Sequence, residues 1–387
     1  MYNFRFSIPT TIYFGKGQIS HLDELKKSGD KVLMCYGGGS IRKNGIYDTA
    51  LKILSDAGLT VTELSGVEPN PKIETVRRGV ELCKTQGIDM VLAIGGGSTI
   101  DCAKIVAAGA KYDGDPWDLV LDGSRIKAAL PIYSVLTLSA TGSEMDEFAV
   151  ISDMSKNEKW GTASEHIIPA MSVLDPTYTF TVSKKQTAAG TADMMSHTFE
   201  NYFNFTEGAD VQANFAEGLL RVMIKYGPIA LEQPDNYDAR ANLMWAGSNA
   251  INGLIADGCQ PAWCVHPMEH ELSAFYDITH GQGLAILTPV WMEYVLSDKT
   301  ARKYADYGRH VWGLTDTDDM TAARKAIECT RDFLFNKMGM PSTLKEVGIT
   351  DKTNFKVMAE KAAKGSVGSF VPLTAEDIEK IYEAALG

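Results

Sequence analysis

The sequence predicts an α/β fold in which an amino-terminal dinucleotide-binding domain, built on a mainly parallel, doubly wound sheet, precedes an all-α domain. Over residues 1–180, short apolar runs alternate with helical stretches, which is the pattern of a parallel sheet covered by helices on both faces. From residue 186 onward helical periodicity dominates, and no segment predicts a strand. We therefore predict two domains, residues 1–180 and residues 181–387.

The strands of the first domain follow the apolar runs in chain order. Residues 31–36 and 90–94 show little alternation of apolar and polar side chains, as expected for strands buried on both faces. Further strands are predicted at 59–64, 132–136, 148–152 and 171–174, with helices at 46–57, at about 71–86 and ending at residue 110. In the second domain, long helices are predicted at 186–203, 209–231, 237–256, 262–276 and 318–338.

Composition excludes several classes of partner. The formal net charge of −12 makes a nucleic-acid backbone or an anionic membrane an unfavourable partner. No apolar run approaches the roughly 20 residues of a membrane helix, and the amino terminus has no signal-peptide layout. The six cysteines are scattered without a CxxC pair, which is typical of reduced thiols, so we expect a cytoplasmic protein.

A cluster of histidines and one aspartate predicts a metal site in the second domain. His266 and His270 are four residues apart and share one helix face, and His280 follows after an apparent helix end. Asp193 and His197 form a second pair at the same spacing. Nitrogen and oxygen ligands of this kind suit zinc or ferrous iron, so we predict one metal held by Asp193, His197, His266 and His280. His270 can be a ligand, a partner of a ligand or a proton relay. The alternative for each histidine is an ordinary hydrogen-bonded core or surface residue.

Two Gly-Gly-Gly-Ser turns in the first domain are candidate phosphate-binding loops. The first consists of Gly37, Gly38, Gly39 and Ser40, and the second of Gly95, Gly96, Gly97 and Ser98. Each follows a predicted strand and precedes a helix, where backbone N–H groups can approach a phosphate. The second turn, with Asp101 one helical turn later, follows the most apolar strand and is the better pyrophosphate candidate. A tight turn without a ligand is the alternative.

The first turn bears on cofactor choice. NAD-selective sites place an acidic side chain against the adenosine ribose, whereas a 2′-phosphate requires that the acid be absent. Arg42 and Lys43 follow this turn, and the neighbouring sequence has no carboxylate, so NADP(H) is predicted. The hydroxyls of Thr137, Thr141 and Ser143 follow the predicted strand 132–136 and would face the same crevice. Ser143 can equally cap a helix.

Taken together, these motifs resemble the iron-containing (group III) alcohol dehydrogenase family. The similarity spans essentially the whole chain and is carried by Gly95-Gly-Gly-Ser98-x-x-Asp101, Thr137-x-x-Ala140-Thr141-Gly142-Ser143-Glu144, Asp193-x-x-x-His197 and His266-x-x-x-His270-x9-His280. The butanol dehydrogenase and aldehyde reductase branch is the most similar. The resemblance implies a dehydroquinate-synthase-like architecture with the metal in the cleft, and metal ligation by Asp193, His197, His266 and His280.

The resemblance also implies roles for further residues. Pyrophosphate contacts are expected from Gly95 to Ser98, and nicotinamide-side contacts from Thr137, Thr141 and Ser143. Lys159 and Tyr178 match family residues near the cofactor. Gly38 stands where NAD-preferring relatives carry an aspartate, in agreement with NADP(H). Asp193 and His280 would act in catalysis through the metal, with His270 beside it as a proton relay.

The implied reaction is reversible hydride transfer between NADP(H) and a small linear aldehyde or primary alcohol, such as butanal or butanol. It requires Fe²⁺ or Zn²⁺, and a homodimer is expected from size and family alone. Three alternatives remain at this point. A glycerol dehydrogenase or a dehydroquinate-synthase-like lyase uses a similar scaffold, a metal-dependent hydrolase explains the histidines but not the glycine turns, and a non-catalytic nucleotide-binding protein needs no ligand set.

Overall fold

The computed structural model describes residues 1–261, 263–366 and 370–387. The chain forms two compact units. The sheet unit comprises Ser7–Val182 and Pro234–Met244, and the helical unit comprises Met1–Phe6, Ser183–Gln233 and Trp245–Gly387. The domain boundary between residues 180 and 181 stays a prediction.

The sheet unit is built on six parallel strands. They are β1 (Thr11–Phe14), β2 (Lys31–Tyr36), β3 (Thr60–Ser65), β4 (Met90–Gly95), β5 (Ile132–Leu136) and β8 (Met171–Leu174), in the spatial order β1-β8-β5-β4-β2-β3. The α-helices of its amino-terminal segment are α1 (Ser40–Lys43), α2 (Ile46–Asp56), α3 (Ile73–Gln86), α4 (Gly97–Gly109) and α5 (Trp117–Leu121). The predicted parallel, doubly wound sheet is confirmed.

The strand order creates a topological switch point between β2 and β4. The chain leaves β2 toward β3 on one side and leaves β4 toward β5 on the other. The two strands pair directly, with Tyr36 opposite Ile94 at their carboxyl ends. Open α/β sheets bind ligands in the crevice at such a point, because the following helices lie on opposite faces and leave the strand ends open.

The two faces of the sheet are covered by different helices, which explains the unbroken apolar runs. Leu33 and Cys35 of β2 lie in a core shared with α3 and α4. Val32 and Met34 face the opposite way, into a core shared with α2. Successive side chains of a strand point to opposite faces, so a strand that is buried on both sides shows no polar alternation.

One predicted strand lies outside this sheet. Residues 148–152 do form a strand, β6 (Phe148–Asp153), but it pairs antiparallel with β7 (Glu158–Ala163) in a separate hairpin. The connection is too short for a parallel crossover, which needs about a dozen residues or more. Asn157, at φ 49°, completes the tight turn. β7 and the short edge strand β1 were not predicted.

The helical unit contains no strand among its described residues, as predicted. The α-helices that follow β8 are α6 (Lys184–Tyr202), α7 (Asp210–Glu232), α8 (Tyr237–Asn249), α9 (Val265–Tyr276), α10 (His280–Val295), α11 (Ala301–Trp312), α12 (Asp319–Asp332), α13 (Phe355–Gly365) and α14 (Ala375–Leu386), with a π-helix at Phe333–Lys337. The chain passes from the sheet unit to the helical unit within α8. In the parts of the chain that the structure describes, no helix combines the length and apolar character needed to cross a membrane.

Two helix boundaries differ from the sequence prediction. The helix predicted over 237–256 ends at Asn249, and the following turns contain Gly253 and Gly258 at positive φ. The helix predicted over 262–276 begins at Val265, while position 262 lies outside the described residues. Pro267 falls in the first turn of α9, where proline is tolerated because the first N–H groups of a helix have no intrahelical partner.

Candidate metal centre and dinucleotide turns

Three helices of the helical unit bring the predicted metal ligands together. Asp193 and His197 project from one face of α6, four residues apart, and His266 lies in the first turn of α9. Asp277 ends α9 in a left-handed conformation at φ 48°, which turns the chain so that α10 begins at His280. Asp193, His197 and His266 are buried, and the His280 side chain is 23% exposed.

The distances around one Asp193 oxygen decide what these side chains can hold. Asp193 Oδ1 lies 3.5 Å from His197 Nε2, 3.7 Å from His266 Nε2 and 3.7 Å from His280 Nε2. These separations are long for hydrogen bonds. Two ligands about 2.1 Å from a tetrahedral zinc ion are about 3.4 Å apart, so the spacing suits donors that converge on one ion.

Unpartnered polar atoms provide a second test of the fit. Asp193 Oδ1 and His266 Nε2 are buried and have no hydrogen-bond partner among the described residues. Buried polar atoms are nearly always paired, so atoms left in this state call for a ligand or an ion. The donor set of one carboxylate and several imidazoles fits zinc or ferrous iron.

His197 is placed differently from the other predicted ligands. Asp193, His266 and His280 each offer one donor atom within 4.8 Å of the other two, and His197 is not part of that set. Its ring instead stacks on His266 with a centroid separation of 4.7 Å and an interplanar angle of 13°. His197 Nε2 still faces Asp193, whereas its buried Nδ1 is without a partner in the described chain. Its role as the fourth ligand stays a prediction.

Two fully buried carboxylates, which the sequence analysis missed, lie behind the histidines. Glu200 of α6 contacts His266 Nδ1, and Glu269 of α9 contacts His280 Nδ1. A carboxylate oxygen accepts, so each Nδ1 carries a hydrogen, and in the neutral imidazole each Nε2 lone pair is left for a metal. Both acidic residues stand three positions after a predicted ligand, on helices that are buried around them. That pattern was the available signal.

Glu200 has a second role at the start of α9. Its Oε1 also accepts the backbone N–H groups of Cys264, at 2.6 Å, and of Val265. The first N–H groups of a helix lack intrahelical partners, and a negative charge there is favoured by the helix dipole. Glu200 therefore fixes both the helix start and the ring of His266.

The pKa values of the site reflect burial and these carboxylates. Burial lowers the pKa of His197 to about 3, so its imidazole is neutral at pH 7. For His266, burial acts in the same direction and is the largest single effect, but the Glu200 and Asp193 carboxylates together outweigh it and raise the pKa to about 9. Burial would raise the pKa of Asp193, yet the nearby His197 and the other imidazoles hold it well below its usual range.

His270 lies beside this centre. It follows Glu269 on α9 and is half-buried, with its ring 5.6 Å from that of His280 and 6.2 Å from that of His266. Glu269, His270 and His280 form a second set whose donor atoms lie within 4.8 Å of one another. The three roles considered for His270 therefore remain compatible with its position.

In the sheet unit, both glycine turns lie at the switch point. Gly37 to Ser40 follow β2, and Gly95 to Ser98 follow β4, the adjacent strand. α4 is 13 residues long and begins at Gly97, directly after the carboxyl end of β4. Its amino-terminal end therefore lies at the edge of the sheet where dinucleotides bind in such folds.

The glycines of the second turn are required by close packing. A Cβ at Gly97 would overlap the side chain of Thr141, and one at Gly95 would overlap Thr99. A Cβ at Gly38 or Gly39 would meet nothing within 4 Å. The second turn is therefore fixed against its neighbours, whereas the first is open at Gly38 and Gly39.

Three of the predicted cofactor residues, Asp101, Thr141 and Ser143, form a connected polar network. Thr141 Oγ1 accepts the Ser143 N–H at 3.1 Å, and Ser143 Oγ donates to Asp101 at 2.6 Å. Asp101 also accepts the Val150 N–H at 3.0 Å, and burial raises the pKa of its carboxyl to about 6. Asp101 thus holds the segment that carries Thr141 and Ser143. Thr137 is half-buried, and its N–H bonds Gly95 O at 2.9 Å.

Lys159 and Tyr178 also belong to the sheet unit. Lys159 is buried on β7, and its Nζ donates to Asn70 Oδ1 at 3.1 Å. Tyr178 is half-buried against the core that contains α2, and burial raises its pKa to about 12. Their proximity to a cofactor stays a prediction.

One premise of the cofactor argument is wrong. The sequence next to Arg42 contains no carboxylate, but the neighbouring strand β3 brings one there. Glu63 Oε2 lies 3.0 Å from Arg42 Nη2. The pairing of β2 with β3 places Glu63 opposite Met34. From there its side chain reaches Arg42 of α1, 21 positions earlier in the chain, which the local sequence does not reveal.

Comparison with known proteins matches this combination of sheet and helical units. The iron-containing alcohol dehydrogenase profile matches residues 9–176, and that of the Fe-containing alcohol dehydrogenase family, C-terminal, matches residues 187–386. The chain belongs to the iron-containing alcohol dehydrogenase family. The predicted resemblance and the dehydroquinate-synthase-like architecture are thereby confirmed.

Relatives from this family resemble the chain over its whole length. It is 58% identical to NADH-dependent butanol dehydrogenase A of Clostridium acetobutylicum, with 99% of each chain covered. It is 40% identical to NADPH-dependent aldehyde reductase YqhD of Escherichia coli, with 100% of each covered. The crystal structure of NADH-dependent butanol dehydrogenase A from Thermotoga maritima superimposes with a TM-score of 0.95 at 40% identity, covering 100% of this chain and 99% of that one.

Proposed function

We propose that this protein is a metal-dependent alcohol dehydrogenase and aldehyde reductase. It transfers hydride reversibly between a nicotinamide cofactor and a small linear aldehyde or primary alcohol, such as butanal or butanol. The observation that carries the proposal is the convergence of three imidazole Nε2 atoms on one unpartnered oxygen of Asp193. The names of the butanol dehydrogenase and aldehyde reductase relatives support the choice of substrate class.

The proposed ligands are Asp193, His197, His266 and His280. A divalent metal, Fe²⁺ or Zn²⁺, supplies a Lewis acid that polarises a carbonyl oxygen. Asp193 contributes the one negative charge of the set, and the histidines contribute neutral nitrogens. Glu200 and Glu269 fix the orientation of His266 and His280. Asp193 and His266 are buried, so little water surrounds their ligand atoms. The attraction between these atoms and a metal ion is therefore screened less than it would be at the surface.

We assign His270 the role of passing the alcohol proton to and from solvent. His270 is half-buried beside His280, so it can reach both the bound alcohol and the solvent. An imidazole suits proton transfer because its unperturbed pKa lies near neutral pH. Replacing His270 with alanine should lower turnover while the metal content stays normal. Unchanged turnover across the pH range would remove His270 from the proton path.

The cofactor turns are proposed to bind NADP(H), with Gly95 to Ser98 on the pyrophosphate and Gly37 to Ser40 on the adenosine side. Support comes from the absence of an acidic side chain at Gly38 and from the NADPH-dependent relative. The NADH-dependent butanol dehydrogenase relative and the carboxylate of Glu63 favour NADH. Parallel measurement of both cofactors decides between them.

The test is NADPH oxidation with butanal, run beside NADH, on metal-stripped protein reloaded separately with Zn²⁺ and Fe²⁺. We expect activity to return with a metal and to be absent without one. Oxidation of NADH alone would keep the dehydrogenase and reject NADP(H). No oxidation with either metal or cofactor would reject the proposal in favour of the lyase alternative. A cytoplasmic location and a homodimer remain part of the proposal.

A further inference from the structure

Arg42, which the sequence analysis left free to receive a phosphate, is held in a compact polar cluster. We call this cluster the Arg42 clamp and define it as Arg42, Glu63, Tyr36 and Tyr47. Arg42 Nη2 donates to Glu63 Oε2 at 3.0 Å and to the Tyr36 hydroxyl at 2.5 Å. Its guanidinium carbon lies 3.7 Å from the centre of the Tyr47 ring.

The carboxylate of Glu63 is shared among three donors. Its Oε2 accepts from the Tyr36 hydroxyl at 2.5 Å and from Arg42, and its Oε1 accepts from the Tyr47 hydroxyl at 2.8 Å. Tyr36 ends β2, directly before the first glycine turn, and Arg42 follows that turn. The clamp therefore encloses both ends of the loop that is proposed to meet the adenosine ribose.

In the clamp, the charges of Arg42 and Glu63 are paired with each other, so both are less available to a nucleotide at the loop. A guanidinium that is paired with a carboxylate and stacked on an aromatic ring offers less attraction to a 2′-phosphate than a free one. A carboxylate that already accepts three hydrogen bonds has little capacity left for a ribose 2′-hydroxyl. Gly38 and Gly39 add no side chain, and a Cβ at either would meet nothing within 4 Å.

We propose that Glu63 is a specificity-determining residue, which limits the affinity of the protein for a 2′-phosphorylated dinucleotide by holding Arg42 in the clamp. The inference rests on the proposed function, because it requires a dinucleotide at the first glycine turn. It assigns to Glu63 and Arg42 a role in cofactor selection that no motif in the local sequence contains.

The test compares the dissociation constants of NADPH and NADH, measured by nucleotide fluorescence on the full chain. Glu63→Gln keeps an oxygen for the tyrosine hydroxyls but removes the charge that holds Arg42. It should raise NADPH affinity relative to NADH by about twofold to fivefold, within the range that one added charge contact at an exposed site provides. Arg42→Met should lower the same ratio. In the Arg42→Met background, Glu63→Gln should have a smaller effect than in the wild type.

A matched control separates this role from a general loss of ion pairing. Arg77 and Asp115 form another exposed pair in the sheet unit, with Nε–Oδ2 and Nη2–Oδ1 contacts of 2.9 and 3.2 Å. Asp115→Asn should leave the cofactor ratio unchanged. Raising the salt concentration should reduce the gain from Glu63→Gln, because exposed charges are screened within about 10 Å at 0.1 M salt.

Two outcomes would overturn the inference. An unchanged ratio in Glu63→Gln would show that Arg42 is not restrained by the clamp. An equal rise with and without Arg42 would mean that Glu63 repels the phosphate directly. Binding is measured without turnover, so a shifted ratio in a protein that fails to reduce butanal supports the inference while rejecting the proposed function. A wild-type protein that binds neither dinucleotide rejects both.

Discussion

Removing the Glu269 carboxylate should weaken metal binding without unfolding the protein. Glu269 is fully buried and contacts His280 Nδ1 and the Ser273 hydroxyl. In Glu269→Ala, the Nδ1–H of His280 loses its acceptor. Glu269 is a better target than Glu200, because Glu200 also accepts backbone N–H groups at the start of α9, and its loss would disturb the helix.

Two estimates of the size of this effect agree. Losing an outer carboxylate that orients a ligating histidine costs about 10- to 100-fold in metal affinity, or about 1.4–2.8 kcal/mol. Independently, leaving a buried donor unsatisfied costs about 1–3 kcal/mol. The cost falls mainly on the metal-bound state, because a free His280 ring can rotate toward another partner whereas a ligating ring cannot.

The assay is competition for Zn²⁺ or Co²⁺ against a chelator of known affinity, with apparent melting temperatures recorded in parallel. Glu269→Gln should lose less affinity than Glu269→Ala, because its amide oxygen still accepts the Nδ1–H. Glu217 is the matched control. It is buried on α7, accepts from the Tyr202 hydroxyl at 2.9 Å and contacts His310 Nδ1 at 2.9 Å. Glu217→Ala removes a similar carboxylate–histidine contact but should leave metal affinity intact.

Metal affinity within twofold of the wild type in Glu269→Ala would refute the reasoning. An equal loss of affinity in Glu217→Ala would refute it as well, because the loss would then come from general destabilisation. The Co²⁺ absorption spectrum provides a further readout. It should change in Glu269→Ala and stay the same in Glu217→Ala, since only the first alters the orientation of a proposed ligand.

Three further predictions concern the turns and the pH dependence of the site. Gly38→Asp should raise NADH affinity relative to NADPH by about tenfold, because a hydrogen bond from the ribose to a charged group contributes about 1.5 kcal/mol. An unchanged affinity ratio would place the ribose elsewhere. Gly97→Ala should lower the free energy of unfolding by about 1–3 kcal/mol in thermal unfolding, because the added Cβ would overlap Thr141. Gly38→Ala is the control and should be tolerated, since its Cβ would meet nothing within 4 Å. Equal stability of the two variants would contradict this packing. Metal affinity should fall as the pH falls below about 9, by about tenfold per pH unit. The Glu200 and Asp193 carboxylates together outweigh burial and raise the pKa of His266, and its Nε2 must lose a proton to bind a metal. A pH-independent affinity from chelator competition would contradict that assignment.

The buried strands were predictable, and so was the edge strand β3, whereas β1 and β7 were not. β2, β4, β5 and β8 are continuous apolar runs because helices or loops cover both faces, and periodicity finds such runs. β1 has only four residues and a partly exposed edge position, and β7 reads Glu-Lys-Trp-Gly-Thr-Ala. The apolar run of β1 is only three residues long, and β7 offers neither an apolar run nor a clean alternation, so pairing with another strand decides their conformation.

The proposed ligands were also accessible to sequence reasoning, because helical spacing places Asp193 and His197 on one face of α6. The carboxylates behind the histidines left only one signal, their position three residues after a proposed ligand, and it does not identify the histidine that each contacts. Glu200 contacts His266 across 66 positions, and Glu269 contacts His280 from another helix. Glu63 lies opposite Met34 in the pairing of β2 with β3, and its side chain contacts Arg42 of α1. Residues that meet through packing between elements have no fixed spacing in the chain. The sequence around Arg42 therefore gives no sign of Glu63.

The most direct test of the central claim is anomalous X-ray diffraction from crystals of protein loaded with Zn²⁺ or Fe²⁺. The account predicts one strong peak at about 2.0–2.2 Å from Asp193 oxygen and from the Nε2 atoms of His266 and His280. The distance from that peak to His197 Nε2 decides whether it is the fourth ligand. Active, metal-loaded protein with its peak elsewhere, or with no peak near Asp193, would contradict the account.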